Sequence, residues 1–355
     1  MASSSERAGN GSATVRGAFA GGLARVMRAR TVWLGVWAMT LVLSFIVSLA
    51  LRDTIAAHLN DSTVADRVAR GVEWDWWQEF QQQATALGTT FVPSIIGGAA
   101  PLRNLSDLAD NRPLAKGLFP LLAAWLLLWS FASGGIFDRL ARDRRVGGQA
   151  FFGACGRYAM RLLRLGALAI GAYWVLYAWV HAWIFDVVYA SMVRDLTVER
   201  SAFLLRVVGY AIFLALLVAV NLVVDYARIR LVVEDRRSVL FALAAGARFV
   251  ARHLRLVTGL YALNAAVFMA IVGIYVALAP GGRNDDGRLW IALAAGQAYL
   301  LARAFLKLQF IASQIGVFQH ALASDVLVSS PAPEWPESPA AEFVRNADDT
   351  SPLTP

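Results

Sequence analysis

The sequence predicts an all-α fold, a polytopic membrane helix bundle of about six transmembrane helices built as repeated helical hairpins with amphipathic cytoplasmic connectors. Three observations carry this prediction. Of 355 residues, 58% are hydrophobic and 16% charged, whereas soluble domains carry about a quarter charged residues. The apolar residues gather in uncharged runs long enough to cross a bilayer. The arginines concentrate in alternate loops.

Residues 1–16 are polar and rich in Gly and Ser, so they predict a disordered tail. Residues 32–51 form the first uncharged run, and at about 1.5 Å per residue such a run spans a hydrocarbon core of about 30 Å. It lies too far from the start and runs too long for a cleaved signal peptide, so it reads as a retained helix. Further runs fill 118–137, 165–185, 207–224 and 256–279. The sixth, 289–302, is interrupted by Arg303 and Lys307. A helix ending near Leu308 lets both cations snorkel to headgroups; the alternative continues along or beyond the membrane surface to about Ala323. The transmembrane domain therefore covers 17–325. The Pro-rich, acidic segment 326–355 predicts a second disordered tail.

Charge sets the orientation. Segments 1–31, 138–164 and 225–255 carry a net +13, and segments 52–117, 186–206 and 280–288 a net −2. Basic loops face the cytoplasm, which places both termini inside. Lys116 and Lys307 are the only lysines, and the preference for Arg points to a bacterial chain and hence to the inner membrane. Trp33, Trp183 and Trp290 fall where an indole keeps its ring apolar and its N–H wet.

The most specific pattern is internal. Asp143-Arg144-Arg145 is followed by Arg157, Tyr158, Arg161, Leu163, Arg164 and Leu165; Asp235-Arg236-Arg237 is followed by Arg248, Phe249, Arg252, Leu254, Arg255 and Leu256. Arg, aromatic, Arg and Arg recur in register, which predicts a repeated unit of helix, connector and helix. A looser version occupies 17–30. Spacings of four and three put Arg157, Arg161 and Arg164 on one helical face, and likewise Arg248, Arg252 and Arg255. Such faces suit anionic headgroups or an acidic membrane partner. The positive charge is thereby explained by the membrane, and nucleic acid is not an expected partner.

The one sizeable extracytoplasmic segment, 52–117, carries Val64, Val68, Val72, Trp76 and Phe80 at intervals of four. This predicts an amphipathic helix capped by Asn60 and Asp61, its tryptophans lying on the outer interface. Residues 91–102 are apolar but broken by Pro and Gly, and predict a loop or re-entrant turn packed on the bundle.

Polar groups within the spans are few. Asn221, Asn264 and Gln297 form a candidate intramembrane cluster, either joining helices by hydrogen bonds or lining a substrate route. His181, Asp225 and Arg206 complete the set, without a mid-depth carboxylate of the kind pumps use. No metal-binding, nucleophile-elbow or phosphate-loop motif is present, and the single Cys155 forms no disulfide framework. The expected protein is non-enzymatic, with no catalytic residue, metal or cofactor, and membrane lipids as its partners. A passive or exporter-like transporter is the alternative.

Asp225-Tyr226-Ala227-Arg228 and Glu234-Asp235-Arg236-Arg237-Ser238-Val239, within the layout of 17–325, resemble bacterial six-helix inner-membrane proteins. That layout is also similar to the membrane domain attached to some glycerophosphodiester phosphodiesterases. The resemblance implies a fold and no activity, because no hydrolase domain accompanies it here and no catalytic residue carries over.

Overall fold

The computed structural model describes residues 14–60, 62–71, 73–92, 99–113, 116–279 and 286–329, with side chains described over 290–323 in the last segment. All regular structure among the described residues is helical. Six helices are long and apolar enough to cross a membrane: Arg30–Leu59, Lys116–Arg142, Gly148–Val193, Glu199–Val233, Leu254–Leu278 and Trp290–Ala323. This is the framework of a multi-pass membrane protein.

The first helix, α1 (Val15–Arg28), starts where Thr14 Oγ1 accepts the Gly17 N–H at 3.1 Å, an N-cap. It begins inside the segment read as a disordered tail; residues 1–13 lie outside the described residues. The chain breaks at Ala29 (φ −109°, ψ 39°) and enters α2 (Arg30–Leu59), of which only Val36 is buried.

The following segment does not form one amphipathic helix. It folds as α3 (Ala65–Arg70) and α4 (Trp74–Gln83), separated at an extended Gly71. Trp76 and Phe80 turn inward rather than lie on an interface: Trp76 Nε1 donates to His58 Nδ1 at 3.1 Å, and both rings pack with Phe91. The expected cap is also displaced, since Asn60 closes α2 in helical geometry and Asp61 lies outside the described residues. Residues 93–98 lie outside as well, and α5 (Ala99–Ala109) follows and packs on the helix at 254–278.

Helix α6 (Phe119–Arg142) opens with Pro120, which suits a first helical position. It turns at Asp143 into α7 (Gly148–Val175), which passes through π-helical turns at Leu176–His181 and Trp183–Tyr189 into α8 (Ala190–Val193). Helix α9 (Glu199–Val233) runs about 52 Å, well beyond the hydrocarbon thickness, and turns at Asp235 into α10 (Val239–Arg252). A break at His253 (φ −115°, ψ 28°) leads to α11 (Leu254–Leu278).

Helix α12 (Asp286–Ser329) does not end near Leu308. It continues because Gln309, Ala312, Ser313 and Ile315 are buried rather than solvated. A second compact unit begins at Phe318, of which the described part is the end of this helix; 330–355 lie outside the described residues.

Burial is uneven along the spans. Tyr226, Ile229, Leu231, Leu140, Leu165, Leu260 and Leu308 are fully enclosed, all at the ends where basic residues gather, whereas Phe45, Leu127, Trp179 and Leu214 are more than half exposed. A membrane protein meets lipid with apolar side chains, so exposed mid-span residues carry no solvation cost. Much of the packed core therefore sits under the arginine-rich face, while a second cluster of Leu176, Ile184 and Phe213 packs toward the other end of the spans.

Candidate functional site

Helices α1, α6, α7, α9 and α10 bring the basic segments together into a collar. Its joints are aspartates in the left-handed conformation: Asp143 at φ 48° and Asp235 at φ 49°, a region Asp tolerates better than most residues. Asp143 closes α6 as its C-cap, while Asp235 follows the α9 C-cap Glu234. Arg28 of α1 meets Asp143 at 2.7 Å. Arg157 and Arg161 of α7 meet the two oxygens of Asp235 at 2.8 and 2.6 Å. Arg161 also donates to the Asp235 and Arg236 carbonyls. Both guanidinium groups lie under 6 Å from the Tyr158 ring, within cation–π range.

The Arg161 hydrogen bond, aided by the charge of Arg157, holds the Asp235 carboxyl below the usual carboxylate range. Arg139 Nη2 donates to the Arg28 carbonyl at 3.1 Å and Arg25 to the Leu140 carbonyl at 3.5 Å, so arginines also tie the Ala29 break to the end of α6. Burial lowers the pKa of Arg25 from its ordinary value, and the charge of Asp143 offsets part of that cost.

The six arginines singled out from sequence thus divide. Arg157 and Arg161 are structural clamps. Arg164, Arg248, Arg252 and Arg255 are exposed; Arg248 Nε donates to its own helix at Ala244, and none of the four forms an ion pair among the described residues. The sequence reading did not single out Arg142, Arg144 and Arg145. With Asp138 and Arg157 they line a polar recess of about 480 Å³ ahead of α7. Asp138 is engaged by Arg142 at 2.8 Å, which leaves Arg144 and Arg145 exposed without an ion pair among the described residues. The visible signal was the Asp-Arg-Arg turn, read only as a repeat marker.

The polar residues of the spans do not join into one cluster. Asn221 accepts from Tyr173 at 2.5 Å and donates to Tyr261 at 3.5 Å. Asn264 donates to Leu260 of its own helix, and Gln297 accepts from Trp37. No hydrogen bond links the three. Trp33 likewise gives its N–H to the Leu301 carbonyl at 2.9 Å, not to headgroups, while Trp183 and Trp290 are exposed. Asp225, placed by sequence at a boundary, receives Arg228 at 3.0 Å and Gln314 of α12 at 3.2 Å. Lys307 stacks over Trp129 at 3.3 Å from the ring centroid, directed to α6 and not to the collar surface. On the opposite face, His181 bonds the Ala109 carbonyl, and Tyr210 donates to Asp110, drawing its pKa down.

No family model, curated protein or solved structure matches the chain.

Proposed function

We propose that this chain is a non-enzymatic, multi-pass protein of a bacterial inner membrane, with both termini cytoplasmic, that binds anionic lipid headgroups through its arginine collar. The observation that carries the reading is the recess at the α6–α7 turn, where Arg144 and Arg145 stand exposed beside Arg142 and Arg157 while the one carboxylate is already paired. A cationic recess beside the membrane suits a phosphate-bearing headgroup. Each arginine near an anionic surface contributes about 1 kcal/mol, so Arg144 and Arg145 together are worth roughly 30-fold in affinity at low salt.

The transporter alternative would draw on a route lined by Asn221, Asn264 and Gln297. Their separate hydrogen bonds to Tyr173, Leu260 and Trp37 leave that reading without a shared polar path.

The test is native mass spectrometry of the full chain with phosphatidylglycerol and phosphatidylcholine. The double variant Arg144→Gln, Arg145→Gln is expected to lose phosphatidylglycerol adducts by roughly 10- to 30-fold, with phosphatidylcholine unchanged. Equal retention by variant and parent would overturn the collar as a lipid site.

A further inference from the structure

A cleft of about 580 Å³ opens between α2, α6 and α12. Its walls are aliphatic, with Leu43, Val47 and Leu122 among them, and they run along α2 from Val36 to Ser48, about 18 Å of helix. Of the three hydroxyls that face it, those of Thr40 and Ser48 donate to carbonyls of their own helix, Val36 at 2.9 Å and Ser44 at 2.8 Å. Two cations stand apart from this pattern. Arg303 and Lys307, one turn apart on α12, line the same cleft.

Neither cation forms an ion pair among the described residues. Asp225, whose charge Lys307 feels, is already engaged by Arg228 and Gln314. Like charges at this spacing repel, and an ionisable group within a membrane span calls for a counter-charge. Their position follows from two hydrogen bonds. Trp33 to Leu301 and Trp37 to Gln297 set those α12 residues beside the start of the α2 apolar run. Arg303 and Lys307 therefore follow Leu301 on α12, with the Lys307 side chain turned to Trp125 and Trp129 of α6, and the aliphatic walls lead away from the two cations. Charge at one end and hydrocarbon beyond it is the polarity of a lipid.

We propose that this cleft is a binding site for one anionic phospholipid, its phosphate held between Arg303 and Lys307 and an acyl chain laid along α2 and α6. Trp129 and Trp125 hold the lysine from the α6 side, and Lys307 and Trp125 both line the cleft. A hydrophilic anion would leave the aliphatic walls empty, and an uncharged lipid would leave both cations unanswered. The site is independent of the collar recess.

The experiment is delipidation of the full chain in detergent, followed by native mass spectrometry with phosphatidylglycerol, phosphatidylcholine and glycerol phosphate as probes. The parent is expected to retain one phosphatidylglycerol at least tenfold more strongly than phosphatidylcholine, with millimolar glycerol phosphate unable to displace it. The pair Arg303→Gln, Lys307→Gln is expected to abolish that preference. Leu43→Trp fills the cleft without touching either cation, and is expected to lose the retained lipid while keeping the parental melting temperature. Arg144→Gln, Arg145→Gln is expected to lose only the weaker adduct of the collar recess and to keep this one, which separates the two sites. Retention by Leu43→Trp, equal retention of phosphatidylcholine, or displacement by glycerol phosphate would each overturn the proposal.

Discussion

At the end of α6 the chain turns through Asp143, and just beyond α9 through Asp235, both left-handed and both held by arginine from a basic helix earlier in the chain. Beyond that the two hairpins diverge. Asp143 has one arginine, Arg28, and Asp235 has two. Helix α7 runs unbroken from collar to span, whereas α10 and α11 are separated at His253 in nearly the geometry that separates α1 from α2 at Ala29. The close contacts also sit on opposite arms. In the first hairpin glycines of the outgoing helix admit the return helix, with a Cβ on Gly135 falling 2.6 Å from Cys155 Sγ and 2.9 Å from the Phe151 carbonyl; in the second, Gly246 of α10 faces the α9 backbone, and a Cβ there would fall 3.0 Å from the Val223 carbonyl. The collar thus shares its clamps while leaving each hairpin its own route into the membrane.

The largest test of this contrast is packing. Gly135→Val is expected to cost about 3 kcal/mol by overpacking, and Gly246→Ala about 1 kcal/mol, read as melting-temperature shifts in detergent. Equal losses would remove the asymmetry. The clamps come next. Asp235→Asn and Asp143→Asn keep a residue that tolerates the left-handed turn and remove only the charge. Exposed pairs contribute about 0 to 1 kcal/mol each, so Asp235→Asn, losing two partners, should cost about twice as much as Asp143→Asn; a reversed order would show that Arg28 matters more than the double clamp.

The smallest effect is acid dependence. An aspartate in the unfolded chain titrates near 3.9, and Asp235 is held lower in the folded state. Its contribution is therefore fully present above about pH 4 and lost as pH falls through the folded value. Unfolding followed from about pH 6 to about pH 3 should show less acid destabilisation in Asp235→Asn than in the parent. Identical profiles would mean that the clamp does not report on folding.

What sequence could reveal divides along the same line as the physics. Span positions follow from local composition, and the six runs match, to within one residue at their ends, helices long and apolar enough to cross a membrane. Amphipathic α1 and α10 follow from spacing, but Arg255, expected on one helical face with Arg248 and Arg252, lies beyond the break at His253 in α11. The pairing of Arg157 and Arg161 with Asp235 joins residues 78 and 74 positions apart, and no periodicity specifies such a partner. The extent of α12 was obscured because Arg303 and Lys307 look like an end signal. Lys307 instead finds an aromatic face on α6, and Gln309, Ser313 and Gln314 are buried beyond it. Asn221, Asn264 and Gln297 were grouped by depth alone, yet Tyr173, Tyr261 and Trp37 supply nearer partners.

The clamps also impose a calendar on the nascent chain. Arg28 emerges long before Asp143, and Arg157 some 78 residues ahead of Asp235. At a synthesis rate of about 5 to 20 residues per second, the α7 arginines wait roughly 4 to 16 s for their carboxylate. During that interval their counter-charge is missing, and the next hairpin supplies it with an aspartate of its own. The collar closes stepwise in the order in which it is made, so a hairpin inserted the wrong way round would leave its predecessor's arginines visibly unclaimed.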